Sequence, residues 1–294
     1  MDIVNKPAKN NSEIVEIFRH LIRDRLGLLG LIIVMLIIGS ALFAPLIAPY
    51  DPVALNIPDR VQGPSFVHLL GTDQLGRDTF SRVIYGGRVA LQVALPTIAG
   101  ALFLGLVLGM IAGYGPKWLD NLILLFFDTV RSFPTVMFAL AVVALVGPSL
   151  NTVIFVIMAT SIPTYGRVVR TMTLSIKTSE FIMAERSLGA STFRIMSVHI
   201  LPNVLGPLAV LAAMDIPTVV GLEAGLSFLG MGVKPPTPSW GSLLNDGYSL
   251  IRNTPWLIVA GGIPLILITL GFTFLGEALR DVVDPKLRGR GGAK

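Results

Sequence analysis

Long stretches without charge dominate the pattern along this chain. Five of them contain no Asp, Glu, Lys or Arg: residues 26–50, 89–116, 132–166, 195–214 and 253–276. Each is long enough to cross a bilayer, which takes about 20 apolar residues in a helix. The third exceeds one ordinary span, and its turn signal "VGPSLN" divides it in two. The pattern therefore predicts six transmembrane helices, over roughly 27–48, 90–113, 120–146, 150–169, 203–226 and 255–277.

Composition supports an all-α, multi-pass membrane protein. Hydrophobic residues make up 53% of the 294-residue chain and charged residues only 14%, against about 25% charged residues in a soluble domain. The absence of cysteine excludes disulfides, thiolate catalysis and zinc–thiolate sites. The three histidines lie far apart in sequence, so neither a metal site nor a set of catalytic residues is predicted.

The distribution of basic residues predicts the orientation. Six spans put both termini on one side of the membrane. If that side is the cytoplasm, 17 of the 23 Lys and Arg residues lie inside, as the positive-inside rule requires. The formal net charge of +5 then reflects the cytoplasmic membrane surface, and no nucleic acid partner is expected.

One basic segment falls on the outer side in this arrangement. Residues 71–88 contain Arg77, Arg82 and Arg88. We expect a separate amphipathic helix at the outer interface, with Phe80 and Ile84 on its apolar side.

Glycines in the predicted second span have the spacing of a helix-packing motif. Gly105, Gly109 and Gly113 form two successive GxxxG steps. Without a Cβ they allow another helix backbone to come close. We therefore predict close helix packing along this face.

Charged residues inside predicted spans need partners or water. Asp128 and Arg131 stand at positions i and i+3 and are expected to pair with each other. Pro134 is expected to kink the same helix. Asp215 and Glu223 are eight residues apart, about two turns, and so share a helix face. Two interpretations stay open for them: they line an aqueous path, or they are buried groups that hold helices together.

The segment between spans four and five is a polar interruption, which we call the knob (residues 176–202). A short helix is predicted over 176–188, a C-terminal cap at Gly189, a second helix over 191–199, and Pro202 in the first turn of the next span. A helix–glycine–helix element of this kind can insert into a groove of a partner. The alternative is an interfacial loop that only connects the spans.

The knob resembles the EAA loop of ABC-transporter permeases, whose pattern is EAA, three residues, Gly, nine residues and I-x-L-P. Two positions depart from it: Met183 replaces the leading acid and His199 replaces isoleucine. The acid that contacts the ATPase is therefore left open between Glu180 and Glu185. The residues to which the resemblance assigns coupling with the ATPase are Glu180, Met183, Ala184, Glu185, Gly189, Leu201 and Pro202.

Two further stretches resemble one branch of these permeases. "LLGTDQLGRDTFSRVIYGGRVAL" (69–91) and "EAGLSFLGMGVKPPTPSWGSLLNDG" (223–247) are similar to the dipeptide/oligopeptide/nickel family. With one span before residue 69, the chain resembles the C-type subunit of that family. The implied organisation is a first span with its tail and outer loop (1–68), a permease domain with five spans (69–284) and a cytoplasmic tail (285–294).

The resemblance implies a type I ABC importer permease in a bacterial or archaeal inner membrane. Its expected partners are a second homologous permease subunit, two ATP-binding subunits and an extracytoplasmic substrate-binding protein. The chain contains no GxxxxGK[ST] phosphate loop, so ATP and Mg²⁺ are expected on the partner ATPases and no cofactor on this subunit.

The resemblance also places the outer loop 227–254, with Pro235, Pro236 and Trp240, in the outer vestibule near the binding protein. Its aromatic residues are expected at the membrane interface.

Dipeptides or oligopeptides are the leading substrates, with nickel and glutathione as alternatives in the same family. An ion-coupled secondary transporter, a membrane enzyme and a structural scaffold subunit are the rival classes.

Overall fold

The computed structural model describes residues 24–283, so the predicted cytoplasmic tail 285–294 and most of the N-terminal tail lie outside the described residues. The regular secondary structure of the described part is helical, apart from one isolated β-bridge between Thr72 and Asp78, and the segments 48–78 and 229–239 are mostly irregular. The helices are α1 Arg25–Leu42, α2 Ala44–Ile47, α3 Thr79–Tyr114, α4 Lys117–Arg131, α5 Thr135–Val146, α6 Leu150–Lys177, α7 Glu180–Ser187, α8 Thr192–Phe228, α9 Trp240–Ser249 and α10 Pro255–Val283.

Five of these helices, α1, α3, α6, α8 and α10, are long and apolar enough to cross a membrane. The predicted third span is not one helix: α4 and α5 meet at an angle of 82°. The break lies at residues 132–134, where Pro134 has no N–H to continue the ladder of α4. The six predicted spans thus correspond to five continuous helices and one bent pair.

Helix α3 begins eleven residues before the predicted span and contains most of the segment expected to form a separate interfacial helix. That expectation is wrong. Asp78 caps the helix by accepting a hydrogen bond from the Ser81 N–H at 2.8 Å. Arg82 is buried in the protein, because acidic side chains neutralise it there.

The most extensive helix pair in the described residues is α3 against α6, and glycines make its close approach possible. A Cβ on Gly105 would lie 2.5 Å from the Cβ of Tyr165, and one on Gly109 would lie 2.5 Å from the carbonyl oxygen of Gly166. A Cβ on Gly113 would lie 2.7 Å from the Cβ of Thr173. We call this contact the glycine seam, and it is the packing that the GxxxG spacing predicts.

The second helix of the knob differs from its prediction. A helix over 191–199 and a span starting near 203 were expected as separate elements, but Thr192–Phe228 is one continuous helix. It contains a π-helical segment at Ile195–Ile200, where the Leu201 N–H donates to the carbonyl of Met196. Pro202 lacks an N–H, so a regular α-helical bond cannot form at that position, and the wider turn precedes it.

The seam leads to a stability prediction. Gly109→Ala is expected to lower the free energy of unfolding by about 1–3 kcal/mol, because the added methyl group meets backbone that cannot easily move. Gly39→Ala is the matched control, since a Cβ there has nothing within 4 Å. Denaturant titration in mixed micelles gives both values. Equal stability of the two variants would contradict the seam.

Candidate functional site

The knob is fixed to the ends of α3 and α6. Ile182, on α7, is fully buried. The ring of Tyr114, the last residue of α3, has the Lys177 ammonium 5.1 Å and the Arg186 guanidinium 5.2 Å from its centroid. Lys177 also donates to the Tyr114 carbonyl at 2.8 Å. These contacts make the knob continuous with the helices of the seam.

The turn of the knob depends on Gly189. Its φ is +85°, in the left-handed region that favours glycine. The N–H of Ala190 donates to the Glu185 carbonyl at 3.0 Å, and that of Gly189 donates to the Arg186 carbonyl at 2.9 Å. These bonds satisfy the last carbonyls of α7, as a glycine C-cap does.

The two candidate acids of the knob have different surroundings. A carboxylate oxygen of Glu185 lies 3.6 Å from His199 Nε2 on the second helix of the knob. Glu180 is exposed. His199, which departs from the family pattern, therefore faces Glu185 within the knob. Glu180 is the acid that is exposed on the surface.

The tip of the knob is apolar. Leu188 is 85% and Phe193 81% exposed, and Met183 is about half exposed. Large hydrophobic side chains this exposed on a short polar element indicate a binding surface.

Asp215 lines a partly open cavity beside the helix bundle. The cavity has a volume of about 320 Å³ and lies between the α4–α5 break, α6 and α8. The Tyr165 hydroxyl donates to Asp215 at 3.0 Å. Arg131 lines the same cavity and donates to Thr164 Oγ1 at 3.0 Å.

The predicted pairing of Asp128 with Arg131 is wrong. Asp128 pairs instead with Arg167, on α6. Arg131, in the last turn of α4, instead donates to Thr164 and lines the cavity, while Asp128 is taken by the guanidinium of Arg167.

Glu223 is buried away from this cavity. Its side chain is 1% exposed and accepts a hydrogen bond from the Ser227 hydroxyl at 2.6 Å. The same hydroxyl accepts from the Val233 N–H at 3.3 Å. Glu223 therefore helps to fix the start of the 229–239 loop, while Asp215 is the acid of this pair that reaches a cavity.

A buried cluster of charges, missed in the sequence, ties the start of α3 to α9. We call Asp73, Arg77, Arg82 and Asp246 the Asp73 cluster. Asp73 accepts from the Arg77 Nε at 2.7 Å and also pairs with Arg82. Arg82 reaches Asp246 at 3.0 Å. Two acids balance two bases, which explains how arginines remain buried at this end of the molecule.

The outer loop divides into an exposed and a buried part. Pro235 and Pro236 are exposed. Trp240 is 3% exposed, and its indole N–H donates to the Val83 carbonyl at 2.9 Å. The expectation of Trp240 at the membrane interface is therefore wrong, because the tryptophan locks α9 onto α3.

Two family models match the sequence. Residues 105–289 match the binding-protein-dependent transport system inner membrane component. Residues 12–64 match the N-terminal transmembrane domain of oligopeptide transport permease C.

The chain belongs to the family of binding-protein-dependent inner membrane permeases.

Curated relatives cover nearly the whole permease. It is 41% identical to the dipeptide transport system permease protein DppC of Alkalihalophilus pseudofirmus, over 93% of this chain and 90% of that protein. It is 36% identical to the di/tripeptide transport system permease protein DppC of Pseudomonas aeruginosa, over 97% of each chain. The glutathione transport system permease protein GsiD of Escherichia coli is 38% identical, over 97% of this chain and 94% of that one.

A solved structure gives the same fold. The permease superposes on a chain of the inward-facing MetNI methionine ABC transporter with a TM-score of 0.58 at 19% identity, covering 68% of this chain and 96% of that one. The all-α type I importer fold expected from the sequence is confirmed. As an ABC permease the subunit is a non-catalytic, multi-pass inner membrane protein that works with ATPase partners. This sets aside the ion-coupled transporter and the membrane enzyme.

The Asp73 cluster yields a second prediction. Asp73→Asn is expected to destabilise the permease by about 3–5 kcal/mol, because it leaves two buried arginines facing one remaining acid. Asp51→Asn, at an exposed acid of the preceding loop, is the control and is expected to be near neutral. The free energy of unfolding in mixed micelles is the measurement. If the two variants are equally stable, the cluster does not hold α9 to α3.

Proposed function

We propose that this permease is a subunit of an importer of dipeptides or other short peptides and forms half of its translocation path. Identity of 41% across 93% of the chain with a dipeptide permease carries the proposal. Glutathione is the second candidate, because glutathione permeases are 36% and 38% identical and glutathione is itself a short peptide.

We propose that both termini lie in the cytoplasm. The division of Lys and Arg residues supports this. The Asp73 cluster joins the two segments proposed to lie outside, residues 49–89 and 227–254. The knob lies at the other end of α3, against Tyr114. The outer segments and the knob therefore fall on opposite ends of one long helix.

In this proposal, each partner contacts a different surface of the permease. The knob would contact one of two ATPase subunits, which bind ATP and Mg²⁺. A second homologous permease subunit would complete the path. The exposed prolines of the outer loop, Pro235 and Pro236, would face the external substrate-binding protein.

Coupling would proceed through the apolar tip of the knob. Met183, Leu188 and Phe193 would insert into a groove of the ATPase, with Glu180 as the acid that contacts it. Glu185 would instead stabilise the knob from within, opposite His199. When ATP closes the ATPase pair, the knob would carry the seam helices with it as one body.

The cap of the knob gives a matched pair of variants. Gly189→Val is expected to abolish most of the ATPase stimulation by the binding protein, because a β-branched residue is strained at φ +85°. Gly189→Asn is expected to keep most of it, since asparagine tolerates this region. Nothing lies within 4 Å of a Cβ at this position, so bulk alone has little effect. Equal stimulation in both variants would exclude a coupling role for the turn.

The function is tested by reconstitution. The permease, its partner permease and the ATPases are placed in liposomes with the binding protein outside and ATP inside. Uptake of a radiolabelled dipeptide that requires both ATP and the binding protein, and that vanadate inhibits, is the expected result. Uptake of glutathione or nickel but of no dipeptide would replace the proposed substrate.

A further inference from the structure

Two opposite charges line one partly open cavity beside the bundle, and neither has an ionic partner within the described chain. Asp215, on α8, and Arg131, at the end of α4, both line the cavity of about 320 Å³. Across residues 24–283, no basic nitrogen lies within 4.0 Å of Asp215 and no acidic oxygen lies within 4.0 Å of Arg131. The neighbouring charges Asp128 and Arg167, in contrast, pair with each other.

Unpaired charges at membrane depth require an explanation. An ionisable side chain within a span is unfavourable unless it meets a partner or water, and such residues mark substrate pathways. The Tyr165 hydroxyl donates to Asp215, and Arg131 donates to the Thr164 hydroxyl, so these hydrogen-bond partners are neutral. Each charged group retains hydrogen-bonding capacity for a ligand.

The rest of the lining suits a small polar ligand. Thr160, Ser161 and Thr218 line the same cavity as the two charges. The Ser161 and Thr218 hydroxyls can both donate and accept, so they can accommodate peptide groups of varied orientation. The Thr160 hydroxyl donates to carbonyls of its own helix and can accept. The volume is at the lower end of the range for small-molecule sites.

We infer that this cavity is a transient subsite for zwitterionic ligands, with the ligand ammonium at Asp215 and the ligand carboxylate at Arg131. The guanidinium is suited to carboxylate recognition. The inference rests on the proposed function and names the part of the substrate that the permease itself recognises: the two charged ends of a free dipeptide. Side chains of the peptide need no matching pocket here.

The absence of cysteine makes a direct test possible. Ser161→Cys places a single thiol in the lining of the cavity. The variant is purified in the permease–ATPase complex without the binding protein, and a water-soluble thiol reagent labels this chain. Alanyl-alanine is expected to slow labelling several-fold. N-acetyl-alanyl-alanine and alanyl-alanine amide, which each lack one charge, are expected to protect much less.

Substitution of each charged residue in the same background tests which end of the ligand it binds. Asp215→Asn and Arg131→Gln, each in the Ser161→Cys background, are expected to raise the concentration of alanyl-alanine needed for half protection about tenfold or more, since a hydrogen bond to a charged group is lost. Asp215→Asn is also expected to remove the difference between alanyl-alanine and its acetylated form. Asp128→Asn is the matched control, because it changes a charge outside the lining, and should leave protection unchanged.

Three results would overturn the inference: no protection by alanyl-alanine, equal protection by the blocked peptides, or unchanged protection in both charge variants. Dipeptide uptake is measured on the same complex with the binding protein added. Uptake without protection rejects the subsite and keeps the proposed function. ATP-driven uptake of a different solute, with no dipeptide uptake, rejects the proposed function.

Discussion

The close approach of α3 and α6 along the glycine seam is the contact on which the other features depend. Lipid gives no hydrophobic drive for helices to associate, so close packing of small residues has to supply the stability. Gly105, Gly109 and Gly113 bring α3 against α6 at distances that any Cβ would prevent. Helix α3 starts at the Asp73 cluster and ends at Tyr114 beside the knob. The seam thus joins the two ends of the permease into one element.

Charged groups fall into two classes with different consequences. The Asp73 cluster is internally balanced and buried, so it fixes α9 to the start of α3 without needing a partner molecule. Asp215 and Arg131 have no ionic partner in the described chain and line a cavity beside the same bundle. The first class builds a rigid frame. In the proposed function, the second provides the polar surface that a substrate would meet on its way to the knob.

The sequence predicts regular, local features well. Spacing predicts the six spans, the glycine packing and the cap at Gly189, because each depends on residues close in the chain. The pairings of Asp128 and Arg82 were missed, since their partners lie 39 and 164 residues away. The interfacial position of Trp240 was wrong for the same reason: its acceptor is the carbonyl of Val83 on another helix. The bend after α4 was foreseen only as a kink at Pro134.

The central claim is that the knob and the seam move as one body when ATP binds to the partner subunits. Leu75, beside the Asp73 cluster, and Ser187, in the knob, are replaced by cysteine in this cysteine-free chain and spin-labelled. Double electron–electron resonance then measures the distance between the two labels. A third labelled position, on the partner permease subunit, measures the distance between the two permease subunits. The account predicts that the 75–187 distance stays constant between the nucleotide-free and ATP-bound complexes while the relation between the two permease subunits changes. A changed 75–187 distance would contradict it.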